Sequence, residues 1–154
     1  MAVYFFDSSA VVKRYARETG TAWVQTLAAQ HYVFLVRITE VEVIAAIERR
    51  KRIGTLTAPD AAAAIAVFRA HLASEYAMVD VTRLLIGQAA GLAEMHGLRA
   101  YDALQLASAL QVHNERRAFR LPGLVLVSAD LALNTAAMAE GLTIEDPNTH
   151  SLLP

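Results

Sequence analysis

Residues 2–15, AVYFFDSSAVVKRY, decide the first reading of the fold. Ala2 to Phe6 are β-prone and end at Asp7; the run SSAVVKRYARE then steps Ala10, Val11, Arg14 and Tyr15 around a helix. Gly20 is expected to stop that helix. The same unit, an apolar strand running into an acid that opens a helix, recurs near the other end. There LVLV (124–127) is followed by Ser128-Ala129-Asp130 and a helix to Glu140 that Gly141 ends.

Between these units the pattern alternates. A short helix is expected over Trp23 to Ala29 and a strand over YVFLV (32–36). A helix follows from Thr39 to Arg50, with Ile44, Ala45 and Ile47 inward and Gly54 closing it. Thr57-Ala58-Pro59 is a helix start, because proline suits the first turn, and the alanine-rich stretch 60–74 is helical by propensity. AMVDV (77–81) reads as a short strand, Thr82 to His96 as a helix stopped by Gly97, and Arg99 to Arg117 as another. Pro122-Gly123 marks a turn, and LTIE (142–145) is the last strand. The strand runs 2–6, 32–36 and 124–127 lack period-two alternation, as strands of a parallel sheet covered on both faces do. The expected fold is therefore α/β: one domain over residues 1–154, three layers α/β/α, with a central parallel sheet of about five strands. Ligands of such sheets bind beyond the carboxyl ends of the strands, the rim on which Asp7 and Asp130 fall.

Composition narrows the function classes. The chain has 154 residues, 55% hydrophobic and 19% charged, enough apolar material for a core and the opposite of a disordered balance. A formal net charge of −1 carries no global attraction for a polyanion, so nucleic-acid binding has to come from local basic patches. The absence of cysteine excludes disulfides, thiolate zinc sites and cysteine catalysis. No signal peptide is visible and no run approaches the roughly 20 apolar residues of a membrane span. The expectation is a soluble, cytoplasmic protein.

Four acids, Asp7, Glu42, Asp102 and Asp130, lie where apolar runs meet turns or helix starts. Each has an ordinary alternative. Asp7 and Asp130 suit helix N-caps, Glu42 completes a Thr39-x-x-Glu42 capping box, and Asp102 suits the positive end of a helix dipole. Caps do not account for the surroundings of Asp102, which shares a helix face with Leu98, Leu106 and Ala109, where a carboxylate is rarely buried without a partner or metal. If the four converge, like charges raise one another's pKa unless a cation stands between them, and an all-oxygen donor set selects Mg2+ or Mn2+.

FFDSSAVVKRY, ITEVEVIAAIERR, LRAYDALQLASAL and LVSADLALNTAAMAEGL together resemble the PIN-domain ribonucleases, most closely the VapC toxins of bacterial and archaeal toxin–antitoxin pairs. The resemblance spans essentially the whole chain in motif order and spacing. It implies a PIN-like fold and a site of Asp7, Glu42, Asp102 and Asp130 with a supporting hydroxyl at Ser9 and a further candidate at Ser128. Asp7 and Asp102 are expected as principal metal ligands, and Glu42 and Asp130 as ligands direct or through water. Glu40 lies nearly opposite Glu42 on a helix, so only one can face the site; the family pattern, with Val43 and Ala45-Ala46 following, selects Glu42. The resemblance further implies Mg2+- or Mn2+-dependent endoribonuclease activity, an RNA substrate, a VapB-like antitoxin and a homodimer, for which 57–73 and 82–95 offer apolar helix surface.

Lys13 and Arg14, on the helix after Asp7, are the cations best placed to touch phosphate or an acidic antitoxin segment. The basic run Arg49 to Arg52 suits a helix C-terminus, Arg116, Arg117 and Arg120 precede the fourth strand, and Trp23 and Tyr32 are expected in the core. The five histidines, His31, His71, His96, His113 and His150, are scattered and show no pair at acid–base spacing. A haloacid-dehalogenase-type phosphatase needs Asp-x-Asp where this chain has Asp7-Ser8-Ser9. A receiver domain needs an acidic pair near the first strand, which is also missing. The remaining alternative is a catalytically inactive PIN-fold RNA-binding or scaffold protein.

Overall fold

The computed structural model describes residues 2–151. Five strands, β1 (Val3–Phe6), β2 (Tyr32–Val36), β3 (Tyr76–Val79), β4 (Val125–Val127) and β5 (Thr143–Glu145), form one parallel sheet in the order β3-β2-β1-β4-β5. Seven helices connect them: α1 (Ser8–Tyr15), α2 (Thr21–Gln30), α3 (Ile38–Arg52), α4 (Ala58–Ser74), α5 (Arg83–His96), α6 (Ala100–Ala118) and α7 (Leu131–Ala139). The three-layer α/β/α architecture is the expected one.

Side chains alternate across the pleat. Val3 and Phe5 enter one core, with Leu85, Leu106 and Leu133 from α5, α6 and α7. Phe6 enters the other, with Val11, Val24, Val43, Ile47 and Phe68 from α1 to α4. Both faces of the sheet are thus covered, which is why its strands are continuous apolar runs rather than alternating ones.

Strand order reverses direction at β1. The chain builds β1, β2 and β3 one way across the sheet and places β4 and β5 on the other side, with Phe5 opposite both Phe34 and Leu126. This makes the gap beyond the carboxyl ends of β1 and β4 the topological switch point, the place where such sheets open a crevice. The ladder runs on one residue past the strands, with Asp7 N–H donating to the Val127 carbonyl (3.0 Å) and Ser128 N–H to that of Glu145 (3.1 Å). Asp7 and Ser128 are thereby held side by side.

Several local readings change. Helix α1 ends at Tyr15, not at Gly20; Gly20 is the left-handed residue (φ 86°) that opens α2. A Cβ there would stand 2.3 Å from the Pro147 carbonyl oxygen, so only glycine lets the α1–α2 turn meet the 3-10 turn Pro147–Thr149. Helix α3 begins at Ile38, so Thr39 is a buried residue within it rather than a cap. Its inner face is Val43 and Ile47, while Ala45 is exposed. Tyr32 is 62% exposed, because β2 starts at the rim of the sheet, and Trp23 is half-buried, stacked on His150 at 3.9 Å between ring centres. No helix among the described residues is long and apolar enough to cross a membrane.

Candidate active site

A cleft of about 330 Å3 opens at the switch point, and all four acids line it: Asp7 from the end of β1, Glu42 from α3, Asp102 from the first turn of α6 and Asp130 from the end of β4. Ser8, Ser9, Lys13, Glu18 and Arg50 complete its polar wall. Glu40 is exposed and does not reach the cleft, as the spacing argument required.

The ordinary roles turn out to be partly true. Asp7 does cap α1, accepting from Ser9 N–H (3.2 Å), and Asp130 caps α7, accepting from Leu133 N–H (2.9 Å). Capping uses one oxygen of each. Every hydrogen bond to the Asp7 carboxylate falls on Oδ2: from Ser9 N–H, from Ser9 Oγ at 2.6 Å and from Ser128 Oγ at 3.4 Å. Among the described residues Asp7 Oδ1, Asp130 Oδ2 and both oxygens of Asp102 accept no hydrogen bond. The capping box, in contrast, does not exist. Glu42 Oε2 accepts from Ser8 Oγ (3.1 Å) and Oε1 from Gln105 Nε2 (2.8 Å).

The hydroxyls stitch the two strand ends together. Ser9 Oγ also accepts from Ala129 N–H (3.0 Å), and Ser128 Oγ from Asp130 N–H (3.1 Å). Asn134 Nδ2 donates to the Ser128 carbonyl (2.8 Å) from inside α7. Ser9 lines the cleft, and Ser128 lies behind it and reaches Asp7 from the end of β4. Sequence reasoning missed Gln105, fully buried in α6, whose amide donates to Thr39 Oγ1 (2.9 Å) as well as to Glu42. Its trace in the sequence was available: a polar residue in the apolar stretch Ala103–Ala109, one turn on from Asp102.

Electrostatics reflect this crowding. Asp7 is 2% exposed, and burial, added to the Glu42 charge, pushes its pKa up to about 6 against the pull of the Ser9 hydrogen bonds. Partial burial and then the charges of Asp130 and Asp7 raise Asp102 to about 6, with Arg99 opposing. Burial also raises Glu42, and the Asp102 charge adds to it, while Gln105 and Ser8 favour its ionised form. The cations nearest these acids are committed elsewhere or stand at the margin. Lys13 bonds Thr19 O, Asn148 and Glu18. Arg14 turns away from the cleft altogether, to Tyr76 and Glu75, so its expected contact with phosphate at this site is not what the fold provides. Among the described residues no three His, Asp or Glu side chains stand close enough together to hold a metal ion between them. The carboxylates instead face one another across an open cleft.

A PIN domain model matches residues 4–137 of the chain. The chain belongs to the PIN domain family. Its VapC-type character is carried by relatives of nearly full length. "Ribonuclease VapC45" and "Ribonuclease VapC49" of Mycobacterium tuberculosis strains are each 33% identical over 145 residues, covering 94% of this chain and 95% of theirs. Among solved structures, PAE2754 from Pyrobaculum aerophilum superposes with a TM-score of 0.65 at 20% identity, over 96% of this chain and 91% of that one. VapC20 of M. tuberculosis, described as a sarcin-ricin loop cleaving toxin, gives 0.62 at 18% identity over 91% and 96%. VapBC2 from Rickettsia felis, bound to a DNA fragment from its promoter, gives 0.59 at 14% identity over 94% and 98%.

Proposed function

We propose that this chain is a Mg2+- or Mn2+-dependent endoribonuclease and the toxin of a VapBC-type toxin–antitoxin pair. The observation that carries the reading is the set of four carboxylates on one cleft, three of which, Asp7, Asp102 and Asp130, keep oxygens without a hydrogen-bond partner among the described residues. The donor set suits the ion. It is all oxygen, two of its members are held near a pKa of 6 by burial and mutual repulsion, and the cleft is open enough for an ion that keeps several waters.

Asp102, Asp7 Oδ1 and Asp130 Oδ2 are the oxygens available to hold the ion, and Glu42, engaged on both oxygens, is suited to orient a water. When bound, the ion supplies a water of lowered pKa and charge stabilisation for the phosphate and leaving oxygen. Ser9 and Ser128 hold the Asp7 carboxylate by Oδ2 and leave Oδ1 without a partner, and Gln105 holds Glu42 by Oε1. Attack of water on phosphorus, in line with the departing 3′ oxygen, leaves a 5′-phosphate and a 3′-hydroxyl. The curated relatives are named ribonucleases, which supports RNA as substrate.

The partners follow in the same way. An antitoxin segment carrying a cation would satisfy the unpaired acids, and similar folds occur in toxin–antitoxin complexes. A homodimer is supported by the apolar face of α5, where Leu84 is 73% and Met95 72% exposed. A protein of this kind acts in the cytoplasm, where RNA is.

Purified, antitoxin-free protein incubated with total cellular RNA tests the reading, in Mg2+, Mn2+ and EDTA, beside Asp102→Ala. Discrete fragments with 5′-phosphates that vanish in EDTA and in the variant are expected. RNA that binds without metal-dependent cleavage would instead mark a binding or scaffold domain.

A further inference from the structure

We infer that Arg50 is the cleft's phosphate-binding cation, contacting a backbone phosphate of the RNA beside the scissile one, and that Glu18 and Lys13 position it. The inference rests on the ribonuclease reading and deepens it.

Arg50, near the C-terminus of α3, and the acids of the cleft line the same cavity. Its guanidinium has five N–H donors in a planar fork suited to phosphate. The structure engages one side of that fork, Nη2, with Glu18 Oε2. The remaining donors have no partner among the described residues, and the side chain is 27% exposed. Arg50 is thus a cation with donors to spare on the wall of an acidic site.

Glu18 does not simply neutralise it. Its other oxygen, Oε1, pairs with Lys13 Nζ at 3.1 Å. The Lys13 side chain is only 6% exposed and also donates to the Thr19 carbonyl (2.9 Å) and to Asn148 Oδ1 (2.7 Å). Removing Glu18 from a lysine that deep would leave a buried, unpaired charge, which is costly. Glu18 therefore stays with Lys13, and it holds Arg50 as a bracket holds a lever. One carboxylate between two cations leaves the triad one positive charge in excess, beside four carboxylates that would otherwise repel a polyanion. Asn148, in the 3-10 turn that Gly20 admits, anchors the bracket from behind. Arg52, two residues on, is exposed and does not line the cleft.

The test measures initial rates of total-RNA cleavage in Mg2+ against KCl, for wild type, Arg50→Ala, Arg50→Lys, Glu18→Gln and Arg52→Ala. At subsaturating RNA, loss of one charge-assisted contact predicts a rate about tenfold lower for Arg50→Ala. The deficit should close at saturating RNA, so that KM moves and kcat does not. The logarithmic salt dependence should become shallower by about 0.7, the value for one phosphate on a single strand. Arg50→Lys should restore the salt slope and part of the rate, Glu18→Gln should shift KM in the same direction as Arg50→Ala, and Arg52→Ala should match wild type. Arg50→Ala that cleaves with wild-type KM and salt slope would overturn the inference, as would an equal effect from Arg52→Ala. Wild type that fails to cleave RNA in Mg2+ would strike the ribonuclease reading itself, a result distinct from an active wild type with an indifferent Arg50.

Discussion

Helix α1 has a polar cluster at each end, and the two are built on opposite principles. At its C-terminal end Arg14 pairs with Glu75 (2.6 Å) and donates to Tyr76 (2.8 Å), and Tyr15 joins Tyr76 (2.7 Å) and His71 (2.8 Å). Both signs of charge are present and each group has a partner. At its N-terminal end Asp7 meets Glu42, Asp102 and Asp130, and the cations on the same wall, Lys13 and Arg50, pair with Glu18 and not with these acids, so carboxylate oxygens are left over. A balanced cluster holds structure; an unbalanced one is stable only with something added. Partly buried polar groups that need no external partner belong to the scaffold, and those left in need of one mark the place where a ligand acts.

Breaking the unbalanced end should cost function most. Asp102→Asn removes a carboxylate with no hydrogen-bond partner among the described residues and with the Asp130 and Asp7 charges against it, so metal-free thermal stability should hold or rise. Cleavage should fall by about a thousandfold or more, corresponding to the several kcal/mol of charge stabilisation a bound ion provides. Rate measurement beside a thermal melt checks both halves. The balanced end should respond in reverse. Arg14→Ala strips the partner from Tyr76 and from the solvent-facing Glu75 and should lower stability by about 1–2 kcal/mol in urea unfolding, with metal affinity by calorimetry unchanged.

The comparison sharpens through pH. Asp7 has a folded pKa of about 6 against 3.8 ordinarily, so the folded protein binds the proton more tightly than the unfolded chain. Metal-free stability should therefore fall as pH rises from about 4 to about 6 and level off above. Asp7→Asn should make that profile shallower, Asp102 keeping its own part of it, and raise metal-free stability near neutrality by about 3 kcal/mol, while abolishing cleavage. Saturating Mg2+ should restore the wild type at neutral pH but not the variant. The smallest effect belongs to Glu40→Gln, a change on the exposed side of α3, which should leave cleavage and stability within about 0.5 kcal/mol of wild type.

Much of this site was legible in the chain because its anchors are local. Asp7 and Asp130 each end an apolar strand, and a parallel sheet brings such ends to one rim whatever the details of the helices. Asp102 betrayed itself by sitting on an apolar helix face. What escaped depended on contacts far apart in sequence. Thr39 and Glu42 have the spacing of a capping box, but α3 starts one residue before Thr39, and Gln105, 66 residues away from Thr39, takes the hydroxyl. Arg14 and Lys13 are neighbours on one helix, yet a rotation of about 100° per residue sends one to Tyr76 and the other to Glu18. Arg50 reads as a dipole-compensating residue at a helix end, and only the fold shows the cleft beside it.

The central claim, that the crowded carboxylates await a divalent cation, is tested most directly by calorimetric titration of Mn2+ into the purified wild type on either side of pH 6, in buffers of differing ionisation enthalpy. The account predicts binding above pH 6 that weakens steeply below it, with protons released as the ion displaces them from Asp7 and Asp102, and loss of binding in Asp102→Asn. Affinity that is absent above pH 6, or that is indifferent to pH and to Asp102, would contradict it.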